Sequence, residues 1–296
     1  MNILITGGTG LIGRQFIANY PEHEYCVLSR NPAHATKSLG DRHQYFTTLN
    51  ELPSATKVDV VINLAGEPIV GRRWSDAQKR RLEESRWRTT QDVVDWIGRA
   101  EHKPHCFLSG SAIGYYGVAE STEFGEHSVA DNADFPSRLC SRWESLAQGA
   151  ESDCRVVLLR TGIVLSNQGG AMDKMLLPFK LGLGGSVGTG RQWMSWIHMS
   201  DYLRAIHYLM TSQASAGAYN LVAPDAVPNK VFVKAFAAAL GRPCVLPLPA
   251  FAMRLALGEA STLLLEGQRV LPQKLQAAGF EFRFPTIDVA MQDLFG

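Results

Sequence analysis

The chain opens on an apolar run, residues 2–7, that passes directly into Gly7-Gly8-Thr9-Gly10-Leu11-Ile12-Gly13 and then into a segment of helical character. Few features restrict a fold as tightly. A strand that turns into a helix with G-x-x-G-x-x-G spacing needs Gly7 for the tight turn, Gly10 so that backbone N–H groups approach a pyrophosphate, and Gly13 so that helix packs closely on strand. The helix N-terminus adds positive potential for the phosphates. A glycine triplet alone is a weak signal, but between a strand and a helix it reads as a dinucleotide-binding turn, with Thr9, Leu11 and Ile12 as its flanking backbone. A purely structural turn is the alternative.

Strand and helix patterns then alternate. Runs rich in Val, Ile and Leu at residues 25–30, 58–66, 106–111 and 155–165 read as buried parallel strands. Residues 11–20, 75–99 and 135–150 read as the helices between them, with Ser75 as an N-cap. This predicts an α/β fold, a doubly wound parallel sheet over residues 1–165, to which residues 199–222 return through a helix opened by Ser200 and a last strand. Residues 166–296 have shorter elements and more Gly and Pro, and predict a smaller second domain. Its most glycine-rich stretch, residues 182–190, lacks the closing Gly-Lys-Ser/Thr of a phosphate-cradling loop and reads as a connection.

Which dinucleotide is bound follows from the end of the second strand, where NAD-selective domains place an acid on the ribose 2′-hydroxyl. Here Ser29 and Arg30 stand instead. A guanidinium can pair bidentately with a 2′-phosphate, so the reading is NADP. Leu64, Ala65 and Gly66, at the end of the run 58–66, belong to the same cofactor-facing edge.

Composition narrows the partners. A chain of 296 residues buries about three quarters of its unfolded surface and needs no disulfide or metal for a core. Lys and Arg number 29 against 28 for Asp and Glu, so no net field draws the chain to nucleic acid or to an acidic membrane. A small-molecule substrate is the expected partner. Five scattered cysteines without a C-x-x-C pair read as reduced and buried, hence cytoplasmic. The sequence gives no expectation of a signal peptide or of a membrane span. His102, His105 and Cys106 form the densest histidine cluster, but they lack the second ligand pair of a zinc signature, so no metal is expected.

The segments ITGGTGLIG, VINLAG, FLSGSA with its trailing YYG, LRTGIVL and WIHMSDY occur in the order found in extended short-chain dehydrogenase/reductases. The chain most resembles an atypical, NAD-dependent-epimerase-like subgroup with a distinctive C-terminal extension, here residues 263–285. The resemblance spans essentially the whole chain. It implies a Rossmann domain carrying NADP, a C-terminal substrate domain, an active cleft between them, and a homodimer paired through two long helices.

The departures from that family are as informative. Its typical members polarise a carbonyl with a serine and a Tyr-x-x-x-Lys pair, the lysine lowering the tyrosine's pKa. Ser111 matches the serine, yet no tyrosine here is followed four residues later by lysine. Counting back from Glu144, which matches the helix glutamate, Pro136 holds the tyrosine position and Cys140 the lysine position. Arg86 stands where the family usually has asparagine. It is the candidate electrostatic substitute for the lysine and a cofactor contact; a solvated helix face is the alternative.

Ser111 and Tyr116, or its neighbour Tyr115, with Arg86 as support, are therefore the candidate catalytic groups, against a reading of aromatic packing and a turn. Glu67, Tyr115, Trp193 and His198 are candidate substrate contacts. For His198 a structural hydrogen bond is favoured, Trp196 is either a stacking platform or core, and Asp201 is a helix-dipole partner. Two functions fit: an NADP-dependent oxidoreductase or epimerase acting on a small carbonyl or sugar-like substrate, and a catalytically silent NADP(H)-binding sensor or regulator.

Overall fold

In the computed structural model, which describes residues 1–130 and 133–296, the sheet grows outward from β1 (Asn2–Thr6) in both directions. On one side lie β2 (Glu24–Leu28) and β3 (Gln44–Phe46), reached through α1 (Leu11–Asn19) and α2 (Pro32–Leu39). The chain then crosses to β4 (Val60–Asn63) on the other side of β1, and continues through α3 (Asp76–Arg99) to β5 (Cys106–Ala112). After the short β6 (Glu123–Phe124), α4 (Phe135–Ala147) leads to β7 (Arg155–Thr161). The strand order is β11-β7-β5-β4-β1-β2-β3, all parallel, with β11 (Gly217–Leu221) arriving late to close the edge. The reversal between β1 and β4 is the topological switch point, where open α/β sheets bind ligands.

Period-two alternation explains the two layers. In β1, Ile3 and Ile5 join Phe16 and Ile17 of α1 and Ile206 and Leu209 of α6 (Met199–Thr211), while Leu4 joins Val93, Trp96 and Ile97 of α3.

A smaller layer covers the C-terminal ends of the strands. β8 (Ile163–Leu165) pairs with β10 (Trp196–His198), and β9 (Trp193–Met194) with β12 (Val227–Pro228). Around them α5 (Ala171–Lys180), α7 (Asn229–Ala239) and α11 (Ile287–Phe295) share a core of Phe179, Trp196, Phe232, Phe236 and Met291. α8 (Ala250–Leu257) and α9 (Thr262–Leu265) lie at its rim. The C-terminal extension serves both layers. Its β13 (Arg269–Val270) pairs with β6, and Leu275 of α10 (Gln273–Ala277), with Phe280, enters the core beneath α6. No helix among the described residues is long and apolar enough to cross a membrane.

Several local expectations need correction. The run 155–165 is two strands, broken at Gly162, where a Cβ would lie 2.6 Å from the Ser195 carbonyl oxygen. α2 and β3 have no counterpart among the sequence segments. Helix 135–150 ends at Ala147 and tightens to a 3₁₀ turn. α6 starts one residue early, capped by His198 and not by Ser200: the His198 Nδ1 accepts from the Ser200 N–H at 3.1 Å. Ser75 does cap α3, accepting from the Gln78 N–H.

Four histidines make the fold sensitive to mild acid. His23, His43, His198 and His207 are all held below the ordinary imidazole pKa, burial being the largest cause in each. Below about pH 6.5 the folded chain therefore binds fewer protons than the unfolded chain. This contribution to stability is complete above that pH and is lost as pH falls below it. The melting temperature, measured in chelator, is expected to hold from about pH 8 to 7 and to drop between about pH 6.5 and 5. A flat profile across that window would contradict the assignment.

Candidate functional site

The glycine turn sits at the switch point. Gly7 has φ +71°, and a Cβ there would lie 2.7 Å from the Leu64 carbonyl, so the β1 and β4 ends approach closely only with glycine. Thr6 reinforces the junction, its Oγ1 donating to Asn63 Oδ1 at 2.6 Å and accepting from the Ala65 N–H at 3.1 Å. Gly10 is the exposed N-cap of α1 and offers no capping side chain. A Cβ there would meet only the Gly7 carbonyl oxygen, at 3.1 Å, and would otherwise fill open space above the helix end. With no acid in its first turn, α1 presents free N–H groups and positive potential there. This cradle fits dinucleotide phosphates.

The surroundings complete one edge. Thr9, Leu11 and Ile12 are half-buried, and the loop after β8 closes on them, with a Cβ at Gly170 3.0 Å from Leu11 Cδ2. Ser29 and Arg30 follow β2 at the start of α2. The Ser29 hydroxyl turns to the Asn31 backbone, while the exposed Arg30 guanidinium has no hydrogen bond or ion pair to the described residues.

Beyond the end of β5 lies a buried polar network. Arg160 of β7 and Glu144 of α4 form a two-pronged ion pair, Nε to Oε1 at 2.9 Å and an Nη to Oε2 at 2.8 Å. Ser111 donates to the same carboxylate at 2.6 Å. The other Arg160 Nη donates to the Tyr116 hydroxyl at 2.9 Å, and that hydroxyl donates to Asn220 Oδ1 at 2.7 Å. Asn220 in turn donates to the Leu271 carbonyl of the extension. Burial alone would lower the Arg160 pKa, but the hydrogen bonds and charge of Glu144 hold it above the ordinary arginine value.

Tyr116 lies deep in this network. Its ring is 1% exposed, its hydroxyl is committed at both ends, and burial pushes its pKa up to about 12 despite Arg160. Ser111 is likewise buried and spends its proton on Glu144. Tyr115 differs. It is half-buried, the Arg160 guanidinium carbon stands 3.5 Å from its ring centroid, and its hydroxyl makes no hydrogen bond to a described residue.

Pro136 and Cys140, at the positions of the absent pair, pack beneath Gly114. The Cys140 thiol is pushed up to about 12 by burial and then by the Glu144 carboxylate, so it stays neutral and brings no lysine-like charge. Arg86 is a strut and not a solvated surface charge. It donates to the Glu67 carbonyl at 3.0 Å and the Leu82 carbonyl at 3.1 Å, lies against Gly66, and has the Trp143 ring 5.3 Å away. Burial lowers its pKa. Arg86 thus fixes the loop that follows β4, including the half-buried Glu67, whose carboxylate has no hydrogen bond to a described residue.

The remaining candidates are engaged elsewhere. His198 is 5% exposed and packs against Phe284; its Nδ1 caps α6, while Nε2 lies 3.2 Å from the Asp293 carboxylate without hydrogen-bonding geometry. The Trp193 indole donates to the Glu120 carbonyl, and Arg269 lies 4.9 Å from its ring. Trp196 is fully buried and donates to the Asp225 carbonyl, which makes it core. Asp201 does more than face a helix dipole: fully buried, it accepts from Arg204 and from the Arg283 and Phe284 N–H groups, each at 2.9 Å. His102 and His105 are exposed while Cys106 is buried, so that cluster does not converge.

Residues 3–222 match the NAD dependent epimerase/dehydratase family, and residues 248–294 match a domain of unknown function, DUF1731. The chain belongs to this epimerase/dehydratase family. Epimerase family protein SDR39U1 of Mus musculus is 37% identical over 301 residues, covering 99% of each chain. YfhF of Bacillus subtilis is 36% identical over 299 residues, covering 99% of this chain and 98% of its own. The crystal structure of human SDR39U1 with NADPH superposes with a TM-score of 0.91 at 34% identity, covering 99% of both chains. A UDP-glucuronic acid 4-epimerase from Bacillus cereus, at 16% identity and a TM-score of 0.78, shares the fold.

If the Arg160–Glu144 pair organises this end of the site, Glu144→Gln strands a buried guanidinium. Urea unfolding is expected to show a loss of about 3–5 kcal/mol, with part of it recovered in Glu144→Gln/Arg160→Met. A loss below about 1 kcal/mol would mean the pair behaves like an exposed ion pair.

Proposed function

We propose that this chain binds NADPH in preference to NADH and uses it as an oxidoreductase or epimerase acting on a small carbonyl or sugar-like substrate. The cofactor reading is supported by the open cradle at Gly10, by the free Arg30 guanidinium beyond β2, and by the human relative crystallised with NADPH. When bound, the cofactor supplies hydride chemistry. The observation that carries the catalytic reading is Tyr115, a phenol left unengaged beside a network that consumes Ser111 and Tyr116.

In this reading Tyr115 donates the proton that Ser111 and Tyr116 cannot. The Arg160 guanidinium against its ring holds the phenol in place beside the network. Arg86 acts indirectly, by holding the backbone of Gly66 and Glu67 at the cleft edge. The second reading, a silent NADP(H)-binding sensor, is favoured by that same commitment of Ser111 and Tyr116 to the fold.

Cofactor choice is tested by fluorescence titration. Loss of a charge-assisted bidentate contact costs about 1.5–3 kcal/mol, so Arg30→Ala should lower the preference for NADPH over NADH by roughly 10- to 100-fold. Equal affinities for the two cofactors in the native protein would contradict the reading. Gly10→Val should abolish NADPH binding and leave the circular dichroism spectrum unchanged; undiminished affinity in that variant would remove the cradle argument.

Catalysis is tested by following NADPH consumption against a panel of sugars, aldehydes and ketones. Tyr115→Phe should slow any turnover found by about 10²–10⁴-fold without loss of NADPH affinity. A native protein that binds NADPH and consumes none across the panel is the outcome the sensor reading predicts.

A further inference from the structure

At the edge of the sheet opposite the glycine turn, the connection from α1 to β2 meets the last turns of α6. We propose that Glu22, His23 and His207 form a divalent transition-metal site, with zinc as its fitting ion. One ligand atom from each side chain lies within 4.8 Å of the others. Two imidazoles and a carboxylate are a donor set that Zn²⁺ takes, with water or a further group in the fourth position.

His23 supplies the independent observation. Its ring is buried, the residue being 6% exposed, yet neither Nδ1 nor Nε2 has a partner at hydrogen-bonding geometry. The Glu22 carboxylate is 3.6 Å from Nε2, too far for a hydrogen bond and close enough to share an ion. A buried polar atom without a partner is costly, and a metal ion bound to its lone pair removes that cost.

The surroundings suit this role. The Tyr20 ring stacks on His207, with centroids 4.4 Å apart and planes at 11°, and orients it. Glu22 is exposed and gives the ion a way in from solvent. Of the cations nearby, Arg42 is committed to the carbonyls of Pro21 and His23 and Arg204 to Asp201 and the Glu281 carbonyl, while the Met1 ammonium also acts on His23. An ion here would pin the α1–β2 connection to α6, far from the nucleotide turn. Local spacing hides the cluster, because His207 comes from the other arm of the chain.

The test uses the full chain without a histidine tag, stripped with EDTA and desalted. Calorimetric titration with Zn²⁺ should show one ion per chain, and the melting temperature should rise with added Zn²⁺. Glu22→Gln, at an exposed position, and His207→Gln should each weaken Zn²⁺ binding by roughly tenfold or more and reduce the thermal shift, whereas His207→Cys should retain binding. NADPH affinity should be unchanged in all three. Absence of stoichiometric Zn²⁺ binding overturns the proposal, and so does affinity undiminished in both Glu22→Gln and His207→Gln.

Discussion

The ion pair between Arg160 and Glu144 governs the end of the site beyond β5. Two opposite charges buried this deeply are stable only when every donor and acceptor is used. Here they are. The guanidinium spends its protons on Glu144, the Tyr116 hydroxyl and the Glu126 carbonyl, and the carboxylate takes a further bond from Ser111. Those bonds fix β5, β7 and α4 relative to one another. Through Tyr116 and Asn220 they also reach the C-terminal extension at Leu271. Glu126 strengthens the same tie, accepting from the Asn220 and Lys274 N–H groups.

The chemical consequence follows from where the pair lies. In the family resemblance, Ser111 and the residue at position 136 would share a substrate carbonyl, with a lysine at position 140 behind them. In this chain Pro136 and Cys140 are neutral packing groups with Arg86 near the thiol, and the cation that shares the serine's carboxylate partner is Arg160. Ser111 and Tyr116 are hydrogen-bonded into the scaffold. The nucleotide edge, built from backbone and glycine, needs none of these side chains and is intact.

What was legible in the sequence was what is encoded locally. The glycine turn, the Ser75 cap and the Val-, Ile- and Leu-rich strands depend on neighbours a few residues away, and each was readable from spacing. α2 and β3 were not, because the segment 32–46 is short, polar and without clear period. The network was hidden for a different reason. Glu144 could be matched to a family glutamate, but nothing in LRTGIVL marks Arg160 as its partner, and Asn220 and Leu271 join only once β11 and the extension have docked. The one available signal was an arginine inside a strand run that is otherwise buried and apolar, since such a charge must be paired. His198 and Trp196 stayed open between a structural and a functional reading for the opposite reason: aromatic and imidazole groups near a cleft resemble a site until their surroundings, Asp293 and Asp225, are in view.

The central claim is that the network holds the Tyr116 proton in the fold and out of chemistry, and the titration of that phenol tests it most directly. With ¹³C-labelled tyrosine, the Tyr116 ring resonance, assigned by its loss in Tyr116→Phe, can be followed through the alkaline range with and without NADPH. The account predicts that it stays protonated up to about pH 11 in both samples, consistent with a pKa raised to about 12 by burial. Titration at or below the ordinary tyrosine value of about 10, in particular only when NADPH is present, would contradict it and return Tyr116 to the catalytic groups.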